Sequence, residues 1–160
     1  MDSTDSTGNS DRIEHSIVIQ APRRRVWRAL VDAAEFGRWF GVNLGGQAFV
    51  VGQRTQGPII YPGYEHILFD VIVERIEDMG LFSYRWHPYA VDPSVDYSGE
   101  QATLVTFTLK DAPRNGTLLT VVESGFDQVP PYRRLEAFRM NSRSWEYQVN
   151  NIMQHVAAHP

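Results

Sequence analysis

Apolar and polar positions alternate where the chain first shows a pattern. From Arg12 to Gln20, Ile13, His15, Ile17 and Ile19 fall on one side, and Glu14, Ser16 and Gln20 on the other. Val18 breaks the strict alternation, but a period of two predicts a half-buried strand. Ala21-Pro22 ends it. Pro22 suits the first turn of a helix that runs to about Val31, with Val26, Trp27 and Leu30 as its apolar face. Asp32 then fits the N-cap of a second short helix ending near Trp39. Gly41, Gly45, Gly46 and Gly52 interrupt the next stretch, so only short strands fit, at Gln47–Val51 and Arg54–Ile60. Tyr61-Pro62-Gly63-Tyr64 has the composition of a turn. Four clearer strands come next, at Ile67–Ile76, Leu81–Trp86, Thr103–Leu109 and Leu118–Glu123. Asn115-Gly116 supplies a hairpin turn between the last two.

The period changes in the last 30 residues. Leu135, Phe138, Trp145, Val149, Ile152 and Val156 recur at steps of three and four, with Ser142 in the one gap. That is one face of an α-helix. Pro130 and Pro131 suit its entry. Over residues 131–157 such a helix is about 40 Å long at 1.5 Å per residue, and its apolar stripe needs a broad surface to cover. The strands upstream supply that surface. Strand, two helices, about six or seven antiparallel strands and one long helix make an α+β domain.

Composition changes this picture little. The 160 residues fit one domain over 12–157, behind a polar tail at 1–11 that is expected to be disordered. There is no cysteine, hence no disulfide or thiolate chemistry. The net charge of −4 argues against a nucleic-acid partner. Arg23-Arg24-Arg25 and Arg133-Arg134 read as solvated helix faces. No run approaches the ~18 apolar residues of a membrane span. The start of the chain lacks the basic and apolar regions of a signal peptide, which points to the cytoplasm.

The ordered pieces are specific together. They include Pro22 with Val26-Trp27-Arg28-Ala29-Leu30, Trp39-Phe40-Gly41, Phe82-Ser83-Tyr84-Arg85-Trp86-His87-Pro88-Tyr89-Ala90, and Asp96-Tyr97-Ser98 with Glu100. Thr117 to Asp127 is another, then Arg139-Met140-Asn141 with Trp145, Gln148, Asn151-Ile152 and His155-Val156. In this order, from about Ile13 to Val156, the chain resembles the START-like, or SRPBCC, helix-grip superfamily. Within it, the chain resembles the group named for the activator of the heat-shock protein 90 ATPase. The resemblance implies a curved antiparallel sheet gripping the C-terminal helix, with an apolar cavity between them. Similar proteins usually carry Gly where this chain has Ser144, which implies different packing there. Fold does not fix function.

Trp39, Phe40, Tyr84, Trp86, Glu123, Asn141 and Trp145 are the candidate ligand-binding residues on this reading. Tyr84 and Trp86 alternate with Arg85, so both wall the cavity if they face the helix. Glu123 shares strand parity with Leu119 and Val121. Desolvation would raise its pKa and fit it for proton transfer; a neighbouring Arg would lower it. The helix above supplies Arg139 and Arg143, which favours the ion pair. Asn141 and Gln148, seven apart, either cap backbone groups of the sheet or meet a ligand. His87, Asp92, Asp96 and Glu100 are metal-competent types in the long loop 87–101, without a known ligand spacing. No Gly-rich phosphate loop, nucleophile elbow or HExxH motif is present, and neither metal nor cofactor is expected. Three functions are ranked on these grounds. The first is binding of a small apolar or aromatic ligand. The second is a cavity-based enzyme, of the cyclase or hydrolase type, using Glu123 or His87. The third, by family name alone, is a chaperone-type interaction module.

Overall fold

The computed structural model describes residues 11–160. Of the tail expected over 1–11, residues 1–10 lie outside the described residues. Its last member, Asp11, is fixed against that expectation: its carbonyl accepts from the Gly125 and Phe126 N–H groups, and its carboxylate from the Asp127 N–H.

The first strand, β1, spans Arg12–Ile19. Helix α1 comes next at Arg23–Val31, and α2 at Ala33–Phe40. Asp32 caps α2 as its type predicts, accepting from the Ala34 and Glu35 N–H groups at 3.0 and 3.2 Å. Gly41 ends α2 in the left-handed region at φ 93°. A side chain there would also strike the Tyr61 ring, 2.5 Å from the position of its Cβ. The strand expected at Gln47–Val51 does not form. Val42 instead bridges to Ile59, and Phe49 alone of that stretch packs into the aromatic core, on Phe36 and Phe82.

The remaining strands are β2 (Arg54–Pro58), β3 (Leu68–Glu77), β4 (Leu81–Trp86), β5 (Thr103–Ala112) and β6 (Gly116–Ser124). All six form one curved antiparallel sheet in the order β1-β6-β5-β4-β3-β2. The register aligns inward positions in rows. Ile13, Glu123, Val105 and Tyr84 lie in one row, and Thr103 and Trp86 pair beside it. Thus the alternation that buries Leu119 and Val121 also buries Glu123.

The long helix, α3, spans Pro131–Ala158 and packs along β1 and against α1 and α2. The expected stripe holds only in its second half, where Trp145, Val149, Ile152 and Val156 are buried. In the first half Leu135 is 60% exposed, and Phe138 is half-buried against Phe126. Arg133, Ala137 and Asn141 occupy the buried line instead, at steps of four that run into Trp145. The reason is what lies beneath: two carboxylates, Glu100 and Glu123, which call for donors rather than alkyl groups. None of the helices among the described residues is long and apolar enough to cross a membrane.

Candidate functional site

Because α3 leans toward β1, a gap stays open between it and the β3–β4 side of the sheet. It is a cavity of about 570 Å³ that opens to solvent. Its floor is aromatic and buried: Phe40 from the end of α2, Phe69 from β3 and Trp145 from α3, with half-buried Trp86 from β4. Trp86 and Trp145 stack at 5.7 Å between ring centres, and Phe40 packs edge-on against both. Tyr61, Tyr64 and His66 of the β2–β3 loop form an exposed rim. His87 and Tyr89 from the loop after β4 wall another side.

Polar groups of this floor converge on Glu123, which is 0% exposed. Trp145 Nε1 donates to Oε1 and Trp86 Nε1 to Oε2, both at 2.7 Å. Thr103 Oγ1 donates to Oε2 at 2.6 Å. Asn141 Nδ2 reaches both oxygens, at 2.9 and 3.2 Å. The ion pair expected with Arg139 or Arg143 is not made, because both arginines point to solvent. The lowered pKa expected from it is corrected as well: burial raises the Glu123 pKa, against the lowering effect of its four donors.

Four of the seven candidate residues, Phe40, Trp86, Asn141 and Trp145, line the cavity. Three do not. Glu123 lies behind the wall it organises. Trp39 sits in the core with its Nε1 donating to the Ala29 carbonyl at 2.8 Å. Tyr84 faces inward as its parity predicts, but it is fully buried, and its hydroxyl has no hydrogen-bond partner among the described residues. Burial and the nearby Glu123 carboxylate push its pKa well up. Gln148 lines the cavity too. It caps no sheet group; its Nε2 donates to the Phe40 carbonyl, a carbonyl left over at the end of α2. Ser144 is exposed on the cavity's edge, so its side chain takes up cavity space and does not press on the sheet.

The loop carboxylates serve local structure. Asp92 accepts from the Ser94 N–H and hydroxyl, and Asp96 from the Ser98 N–H. Glu100 binds Arg133, whose Nη1 also donates to the Pro88 carbonyl and whose guanidinium lies 4.7 Å over the Tyr97 ring. Arg133 is therefore buried and pins the loop to the start of α3, contrary to its reading as a solvated face. Arg25 departs from that reading in the same way. It joins Arg28 and His155 around the buried Glu35 at 2.8–2.9 Å. Burial alone would raise the Glu35 pKa, but hydrogen bonds from His155, Arg28 and Arg25 bring it down to about 2. Sequence spacing could not find this cluster, since its members lie on three helices.

Residues 20–157 match the model of the family described as Activator of Hsp90 ATPase homolog 1-like protein. The chain belongs to this family. Among solved structures, one protein of Mesorhizobium loti is 24% identical, with a TM-score of 0.70 over 93% of this chain and 98% of that one. One from Arthrobacter aurescens is 14% identical, with a TM-score of 0.71 over 93% and 87%. Aha1 of Colwellia psychrerythraea, solved in solution as a dimer, is 16% identical, with a TM-score of 0.63 over 91% and 95%. These likenesses establish the helix-grip fold of the Hsp90-activator-like group. No curated protein matches the sequence.

Proposed function

We propose that this member of the Hsp90-activator-like family binds a small apolar or aromatic molecule between its sheet and α3. The observation that carries the reading is the cavity of about 570 Å³ on a floor of Phe40, Phe69, Trp86 and Trp145. Its size falls within the roughly 300–1,000 Å³ of small-molecule sites. Rings on that floor offer flat, apolar, low-entropy contact area. The contact residues in this reading are Phe40, Trp86, Asn141 and Trp145, while Glu123 holds two indoles and an amide in place. Glu123 supports a wall in this reading and performs no reaction, since it contacts no cavity space. The acidic balance of the sequence supports a ligand other than nucleic acid.

The test is calorimetric titration with 2-naphthol, a neutral bicyclic probe of suitable size, against wild type and Ser144→Trp. Ser144 is exposed at the cavity's edge, so a Trp there fills the space without entering the core. Saturable one-to-one binding that Ser144→Trp abolishes is the expected result. No saturable binding, or binding that the variant leaves intact, contradicts the proposal.

A further inference from the structure

We infer that the cavity selects neutral ligands that donate a hydrogen bond, such as a hydroxylated aromatic, and discriminates against carboxylates. The inference rests on the binding reading above and narrows its ligand class. It comes from following the polar groups that surround Glu123. Trp86 and Trp145 each carry one donor and no acceptor. Both donors are committed to Glu123. Thr103 donates to the same group, and the Asn141 amide turns its nitrogen toward both Glu123 oxygens. Its Oδ1 makes no hydrogen bond among the described residues. Asn141 lines the cavity and is only 7% exposed, so Oδ1 is an acceptor left for the contents of that space.

The other buried amide is tied at both its oxygen and its nitrogen, and one Nε2 N–H keeps no partner among the described residues. Gln148 gives Nε2 to the Phe40 carbonyl and accepts on Oε1 from Asn151 Nδ2 at 3.0 Å. His87 repeats the asymmetry of Asn141. Its Nε2 lies 2.9 Å from the Glu100 backbone carbonyl, which can only accept, so Nε2 carries the proton. In the neutral ring Nδ1 is then an acceptor. The hydroxyls of Tyr61, Tyr64 and Ser144 belong to the exposed rim, where water competes for them, and that of half-buried Tyr89 can donate or accept.

A ligand O–H or N–H would therefore complete Asn141 Oδ1, which otherwise loses its water when an apolar ring enters. A ligand carboxylate would find both indole donors of the floor committed to Glu123 and would approach the oxygens of that group behind them. Specificity of this kind comes from the unpaired group left behind by the wrong ligand.

Three probes of one shape separate the cases at pH 7: 2-naphthol, 2-methoxynaphthalene and 2-naphthoate. Calorimetry gives their affinities, and NMR follows the Asn141 side-chain amide. We expect the methoxy compound and the carboxylate each to bind at least tenfold more weakly than 2-naphthol. The Asn141 amide signals should shift with 2-naphthol and stay unmoved by the methoxy compound. A smaller difference on either arm, or an equal Asn141 shift with both neutral probes, overturns the inference and leaves the cavity reading intact. Absence of binding by all three overturns both.

Discussion

Glu123 is a carboxylate inside a cage of donors, and its removal has a sign that can be argued. In Glu123→Gln one acceptor oxygen becomes an amide donor facing Trp, Asn and Thr donors. At least one buried indole donor then loses its partner, at about 1–3 kcal/mol. The variant should be less stable by about 1–3 kcal/mol in urea denaturation; an unchanged midpoint would mean that the cage does not hold these side chains. Glu123 and Glu35 also differ in their response to pH. Glu35, lowered to about 2, contributes stability above its unfolded value near pH 4.3, and this is lost as pH falls through about 2. For Glu123, raised by burial, the native state holds the proton more tightly than the unfolded chain does. Its contribution is fullest below about pH 4.3 and is lost as pH rises through the native value. A carboxyl-carbon NMR titration should place Glu123 above about 4.3 and Glu35 near 2; the reverse order would refute both assignments. Strand parity put Glu123 inward from sequence alone. Its partners were not legible, because Trp86, Thr103, Asn141 and Trp145 come from two strands and a helix that only the folded register brings together.

Helix α3 works as two segments. Its second half buries an apolar stripe, and there the sequence period was a sufficient guide. Its first half lies over carboxylates, so apolar periodicity picks out Leu135 and Phe138 and passes over Arg133 and Asn141. Two substitutions test this division. Trp145→Ala removes a buried ring and should cost about 3–5 kcal/mol; Trp145→Phe keeps most of the ring, loses the bond to Glu123, and should cost about 1–3 kcal/mol. A cost near zero for Trp145→Phe would deny the hydrogen bond a role. Arg133→Met removes the tie between α3 and the loop 87–101. Hydrogen exchange should accelerate in that loop well beyond any change in β5 and β6. Exchange that rises uniformly would show that Arg133 supports the whole fold and not the loop.

At the scale of the whole molecule, element order and sheet direction were legible because alternation, turn residues and helical period agree with one another along the chain. The exception, Gln47–Val51, has a strand-like composition but pairs with no strand, since α2 and the Val42–Ile59 bridge fix the chain on either side. The cavity was implied by resemblance and is set by how α3 lies: over β1 and away from β3. That placement leaves Trp86 and Trp145 as its floor and keeps Trp27 and Trp39 in the core. The four indole N–H signals thus contain both the reporter and its control. The most direct measurement is a nitrogen–proton correlation spectrum recorded during titration with 2-naphthol. Saturable shifts of the Trp86 and Trp145 indole signals are expected, with those of Trp27 and Trp39 left in place. Saturation with no movement of the first pair, or equal movement of all four, would contradict a ligand site between the sheet and α3.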